Sequence, residues 1–376
     1  MTPDQIRSLV QAKAPETILL EFKRDIPHDG KEFSRDVCAM ANAQGGTILI
    51  GISEKGGCAE SIHGIQSDDI DREILRLTDI LRSGIEPRLL RFDITSLNVD
   101  GHSLLQVQVQ QSMVRPHQVV AGGDRRFYVR HNSGKAIMSL DEIRDAFITS
   151  AAVVERAREW RRERVTKLVL EPETPLDPTK IWLVIHLCPL TAFSATSPRF
   201  DPQSQHRYRE HPLRTPTDLG NGRPNYLGWR IEGRGHEQEL WDYVQVFRDF
   251  RVEIVMRGGE KRDDLPSKIL WAGANETQIF EWFERFQPWA KHFEYPFPAL
   301  CFISLIETYG SFVLDNYNRY QTNEVELLLE PSLIDSVEFP ARTVLRRTYD
   351  HLYQSYGFNA SPFFDENGDW RPRRRS

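Results

Sequence analysis

The chain has little of what usually declares a function outright. Cysteine is scarce: Cys38, Cys58, Cys188 and Cys301 are scattered without paired spacing, which implies neither a disulfide framework nor a zinc knuckle and leaves free core thiols. No Gly-x4-Gly-Lys-Ser/Thr run occurs, so a P-loop is excluded, and no His-Glu-x-x-His sets two histidines and an acid on one helix face. No apolar stretch reaches the roughly 20 residues that cross a bilayer. Met1-Thr2-Pro3-Asp4-Gln5 lacks the basic and apolar regions of a secretory leader, so the expectation is a cytoplasmic protein without membrane contact. Positive charge is not in excess either. With 48 Lys+Arg against 54 Asp+Glu, any contact with nucleic acid has to come from a local basic face. Internal repeats and low-complexity tracts are absent.

What is present is an ordinary globular composition over 376 residues, enough for two domains with separate cores. The periodicity predicts an α+β fold: a mixed-sheet domain with helices over 1–150, a connecting helix and linker over 151–178, and a second α+β domain over 179–376. In the first domain the pattern predicts a helix from Asp4 to Val10 and a strand from Thr17 to Lys23. A helix from Lys31 to Gln44 follows, stopped by Gly45-Gly46, then a central strand from Thr47 to Ile52 that is apolar on both faces. A helix over Asp68 to Arg82 and strands over Leu89–Leu97 and Ser103–Gln110, joined at Asp100-Gly101, come next, then a strand over Phe127–Arg130 and a helix capped by Ser139. That last helix carries Arg156, Arg158, Arg161, Arg162 and Arg164 among glutamates, which reads as a solvated connector, and Glu171 to Pro178 as a boundary. In the second domain the pattern gives a strand over Ile181–Cys188 and a long loop over Pro198–Pro224. A hairpin of Trp241–Arg248 with Arg251–Met256 and an aromatic helix over Thr277–Phe293 complete it. The aromatic residues there read as core or as a partner surface, and the tail Arg371 to Arg375 as a solvated end.

The chemistry concentrates near the first strand. Alternation puts Glu21 and Lys23 on one side of it, with Glu16 just before and Glu54 just after the next strand. Carboxylates gathered at strand ends repel unless a cation sits between them, and Mg²⁺ or Mn²⁺ with oxygen ligands is a usual solution. Glu16, Glu21 and Glu54 are therefore candidate metal ligands and catalytic residues, with Lys23 placed to stabilise charge on phosphorus or to orient a water. The plainer reading of Glu21 and Lys23 is an ion pair on a sheet face. Asp25, Glu32 and Asp36 read as a solvated helix start, where acids favour the dipole. A second cluster, Arg115, His117, Arg125, Arg126, Arg130 and Lys135, is interleaved with Phe127 and Tyr128 and offers a candidate nucleic-acid face. Lone histidines elsewhere, such as His63, His186 and His292, read as structural.

Glu16 to Lys23, then Ala41-Asn42-Ala43-Gln44-Gly45-Gly46 leading to Gly51-Ile52-Ser53-Glu54, resemble the AlbA-like domain of the Schlafen family. Arg115-Pro116-His117, Phe127 to Arg130, Ser133-Gly134, Ser139 and Glu142-Ile143 resemble the end of that domain, so the resemblance spans about residues 1 to 150. It implies a metal-dependent endoribonuclease acting on structured RNA such as tRNA, with Glu16, Glu21 and Glu54 as the metal cluster. The third position is usually Asp in such nucleases, so Glu54 adds a methylene. The structural zinc of vertebrate members has no counterpart in these cysteines. Vertebrate Schlafens join two such lobes, which suggests that this chain works as a homodimer. Two other readings stay open: a non-catalytic nucleic-acid-binding regulator, and a sensor or scaffold of an antiviral defence system whose second domain binds a protein partner.

Overall fold

A computed structural model describes the chain apart from residues 68, 133, 171–175, 194–196, 209, 211, 219, 236–238, 263, 266, 314–319, 366–368 and 372–376. Ser133, most of the proline-rich boundary segment and the arginines of the tail after Arg371 thus lie outside the described residues. The chain divides into two compact units, Met1–Val153 and Val154–Ser376, both mixed α+β. No helix among the described residues is long and apolar enough to cross a membrane.

The first unit opens with α1 (Pro3–Gln11), whose Thr2 hydroxyl accepts from the Gln5 amide while the Gln5 side chain returns to the Thr2 amide. Then come β1 (Leu20–Lys23), α2 (Gly30–Asn42), β2 (Gly45–Ile50), β3 (Ile52–Lys55), β4 (Cys58–Ile62), α3 (Ile70–Gly84) and β5 (Ile85–Glu86). The remainder is β6 (Phe92–Val99), β7 (His102–Gln110), β8 (Gln118–Val119), β9 (Arg126–His131), β10 (Gly134–Ile137) and α4 (Leu140–Leu170), which continues into the second unit. One sheet has the order β1-β2-β7-β6, with β1 and β2 parallel and α2 as their crossover. As its two apolar faces predict, β2 is central. Ile48 and Ile50 pack with Phe33, Val37 and Met40 of α2 on one side, and Leu49 packs with Ile6, Phe22 and Leu104 on the other.

Register then fixes the direction of the charged residues. Glu21 pairs with Ile48 and Lys23 with Ile50, so both face α2. The strand is shorter than predicted because Thr17 and Leu20 close a turn on each other, with N–O distances of 3.0 and 3.3 Å. The predicted strand to Ile52 breaks at Gly51, whose φ is +106°. Gly45 and Gly46 do not act as the helix stop; Ala43 caps α2, and the two glycines open β2. The physical need there is close approach: a Cβ on Gly45 would sit 2.6 Å from the Val109 carbonyl oxygen, and one on Gly46 would sit 2.8 Å from that of Leu19.

The second unit contains β11 (Lys180–Pro189), α5 (Pro202–Arg207), β12 (Gly222–Asn225), β13 (Gly228–Arg234), β14 (Leu240–Phe247), β15 (Val252–Lys261), β16 (Lys268–Leu270) and α6 (Ala272–His292). It ends with β17 (Ala299–Ile306), β18 (Phe312–Val313), β19 (Glu326–Leu328), β20 (Ser332–Ile334) and α7 (Ala341–Gln354). Its described strands form one ten-stranded sheet around β11, which lies antiparallel between β15 and β17. The aromatic side of α6, with Phe280, Phe283, Phe286 and Trp289, packs on one face together with α7. On the other, Val165 and Leu168 from the end of α4 meet Trp182, Val184 and Val255. The arginine-rich part of α4 is thus solvated only on one side: Arg156 and Arg162 are exposed, as its mixed charge suggests, whereas Arg161 and Arg164 turn inward. Arg161 is buried and donates to the Leu329 carbonyl at 2.8 Å, and Arg164 pairs with the interior Glu253. Pro198–Pro224, predicted as a long loop, holds α5 and the start of β12.

Candidate functional site

Glu16 lies before the turn into β1. Its amide donates to the Gly57 carbonyl at 2.7 Å, and its half-buried carboxylate accepts from the Phe22 amide at 2.9 Å. Burial, and after it the nearby charges of Glu21 and Glu54, hold this carboxyl above its ordinary range, although the Phe22 amide pulls the other way. Glu54 is exposed and accepts from the Gly57 amide at 3.0 Å, closing the turn between β3 and β4. The three acids are thus electrostatic neighbours. Among the described residues, however, no group of three or more His, Cys, Asp or Glu side chains is arranged to hold a metal.

Glu21 is differently placed. Its Oε1 pairs with Lys23 Nζ at 2.7 Å and its Oε2 with Arg130 Nη1 at 2.5 Å. Burial alone would raise its pKa, but the two cations outweigh burial and hold it below the ordinary value. Lys23 is raised in turn: burial opposes its charge, and Asp36 and Glu21 more than compensate. From Lys23 the pairing continues. Asp36 lies 3.2 Å from Lys23 and 2.6 Å from Lys135. Lys135 contacts Glu32, Glu32 meets Arg35 at 3.1 Å, and Arg35 meets Asp124 at 2.7 Å. Asp124 accepts from the Tyr128 hydroxyl at 2.9 Å and reaches Arg126 at 3.7 Å. Charges of alternating sign thereby run from the interior at Arg130 to the surface at Arg126.

Asp36 corrects the sequence reading. It is buried, not part of a solvated helix start. The signal was available: the period that turns Phe33, Val37 and Met40 inward also turns Asp36 inward, and strand parity aims Lys23 at that helix. Glu32 and Asp25 are exposed, although Glu32 is paired.

The basic cluster separates into surface and interior. Arg125 and Arg126 are exposed, with loose partners in Glu86 at 3.4 Å and Asp124. Arg115 is half-buried and donates to the Asn42 and Ala43 carbonyls at 3.2 and 3.3 Å, while Lys135 sits in the chain of pairs. Two expected surface residues lie inside. His117 is fully buried between the Pro87 carbonyl and the Ser112 hydroxyl, each at 2.6 Å, and burial lowers its pKa. Arg130, also buried, donates to the Thr17 and Leu20 carbonyls at 3.0 and 3.2 Å and so pins the turn that follows Glu16. Asn42 adds a crosslink that sequence reasoning passed over: its Nδ2 donates to the carbonyls of His117 and Tyr128, both at 2.8 Å. Of the lone histidines, His186 is fully buried against Glu253.

Two solved structures share short stretches with this chain. The DIP2311 protein from Corynebacterium diphtheriae is 19% identical with a TM-score of 0.26, over 36% of this chain and 26% of its own. The N-terminal domain of a RecG-related protein from Nitrosomonas europaea is 23% identical with a TM-score of 0.28, over 33% of this chain and 84% of its own. Superpositions of this quality carry no functional argument, and the chain spans about a quarter of the Corynebacterium protein. The family description "Schlafen, AlbA_2" matches residues 16–139, a range that contains every candidate residue from Glu16 to Lys135. The N-terminal unit of this protein is a Schlafen AlbA_2 domain.

Proposed function

We propose that the N-terminal unit is a metal-dependent endoribonuclease acting on structured RNA such as tRNA, as a homodimer, with Glu16 and Glu21 as metal ligands and Glu54 beside them. The Schlafen AlbA_2 domain gives the coarse reading, a nucleic-acid-related function. The observation that carries the finer one is the state of Glu16, a half-buried carboxylate whose charge is made costly by burial and by two neighbouring acids. A closed cage of three carboxylates is not formed. The donors instead suit a hard cation that takes one or two carboxylates and completes its shell with water and substrate phosphate. When bound, Mg²⁺ or Mn²⁺ supplies an activated water and neutralises charge at phosphorus. The chain's own residues do the rest. Arg130 holds the Glu16–Leu20 turn, Lys23 keeps its proton next to Glu21 and opposes negative charge developing on the phosphate, and Arg125 and Arg126 attract the backbone.

A second reading, binding without cleavage, is favoured by one specific observation: both Glu21 oxygens are already occupied by Lys23 and Arg130. The test is incubation of the full chain with tRNA, single-stranded RNA and DNA, with manganese or with chelator, beside Glu16→Gln. That variant is cleaner than Glu21→Gln, which strips the counter-charge from buried Arg130. Metal-dependent cleavage that falls in Glu16→Gln by more than the roughly 10–100-fold typical of a group behind the ligands, with the melting temperature unchanged, is the expected result. RNA bound but uncut in manganese would move the assignment to the second reading.

A further inference from the structure

The second unit contains a cavity of about 640 Å³ at the start of α6, within the size range of sites for small ligands. Its apolar walls include Trp241, Trp271 and Phe363, all only partly buried, and Gly273 admits the Phe363 ring against the helix, since a Cβ there would lie 2.3 Å from it. The charged residues among the described lining are Arg257 and Arg262, with no carboxylate.

Two independent features supply hydrogen-bond donors. First, α6 is 21 residues long and begins without a side-chain cap or an acid in its first turn, and Ala272, Gly273 and Ala274 of that turn line the cavity. The first amides of a helix have no intrahelical acceptor and carry its positive end. Second, Arg257 is more than nine-tenths buried, lies over the Trp241 ring at 4.6 Å, and its Nε has no hydrogen-bond partner. Its other nitrogens reach Glu239 and, at 3.7 Å, Glu260, neither of which lines the cavity. A buried donor left unmatched is costly unless something completes it.

We propose that this cavity binds a small aromatic anion of mononucleotide size. Its ring lies among Trp241, Trp271 and Phe363, and its anionic group takes the first-turn amides of α6 and the Arg257 Nε–H. The site is separate from the acids of the Schlafen AlbA_2 domain and does not rest on their chemistry.

Calorimetric titration of the full chain with adenosine 5′-monophosphate, with the guanine, cytosine and uracil monophosphates, and with adenosine tests it. The discriminating variant is Ala274→Asp. Position 274 is exposed, and an acid in the first turn favours the helix, so the variant should fold while its carboxylate takes the place of the anion. The expected result is saturable 1:1 binding of at least one monophosphate, weakened about tenfold or more both by removing the phosphate and by Ala274→Asp, with unchanged helicity. Equal affinity for adenosine and its monophosphate, unchanged affinity in Ala274→Asp, or no saturable binding of any monophosphate at millimolar concentration would each overturn the assignment.

Discussion

In the second unit Glu253 is fully buried, and both of its oxygens are taken twice. Arg164 reaches them at 2.8 and 2.8 Å, Tyr243 donates at 2.8 Å and His186 at 2.9 Å. Glu21 in the first unit is nearly as buried and also holds two cations, but its pairs pass through Asp36, Lys135 and Asp124 to end at exposed Arg126. The first arrangement is closed and ties the end of α4 to β11 and β15. The second is open at one end, where Arg126 faces solvent. Burial and pairing alone therefore do not distinguish the two carboxylates; the outlet to solvent does.

The strongest way to break that comparison is Glu253→Gln. It leaves Arg164 facing a neutral amide in the interior, and the expected loss is about 3–5 kcal/mol by urea denaturation. A loss below about 1 kcal/mol would mean that the cluster is not what holds α4.

An effect of comparable size sharpens the role of burial without an ion pair. Glu276 is fully buried and accepts from the Ser361 hydroxyl at 3.3–3.4 Å; burial, helped by the charge of Asp350, pushes its carboxyl up to about 8, although hydrogen bonds from Ser361 and Trp370 pull the other way. Its folded pKa lies above the ordinary value of 4.5, so its contribution is complete below that value and is lost as pH rises through about 8. At roughly 1.4 kcal/mol per pH unit, the wild type should lose stability between these limits relative to Glu276→Gln. Parallel melting curves of the two proteins across that range would refute this.

The smallest contrast lies within the proposed site. Glu21→Gln should cost about 2 kcal/mol, because two charge-assisted bonds go, whereas Glu16→Gln should change stability by less than about 1 kcal/mol. Glu21 titrates below its ordinary value, so its stabilisation is present above that value and fades as pH falls through the depressed one. The gap between wild type and Glu21→Gln should accordingly close in acid. Chemical denaturation at two pH values measures both.

Much of this was legible in the sequence. The buried β2, the helix ahead of it, the Asp100-Gly101 hairpin and the aromatic α6 follow from period and turn chemistry, and the pairing of Glu21 with Lys23 follows from strand parity. The short strands β3, β4, β5, β8 and β10 were not, because two to five residues are too few for a period to register. Nor were the interior places of His117 and Arg130. Besides Ser112 and Glu21, their partners are backbone carbonyls of Pro87, Thr17 and Leu20, about 30 to 110 residues away, and no local pattern encodes such contacts.

The close backbone approach at Gly45 and Gly46 has a further consequence. These two residues carry no charge and touch no candidate ligand, yet any side chain at Gly46 would push on Leu19, in the turn between Glu16 and Glu21. In a scan of all single substitutions, both glycines should tolerate little change, Gly45 through the Val109 backbone and Gly46 through Leu19, by spacing and not by chemistry. On the function proposed above, an inactive variant at Gly46 would report where the acids stand, not what they do.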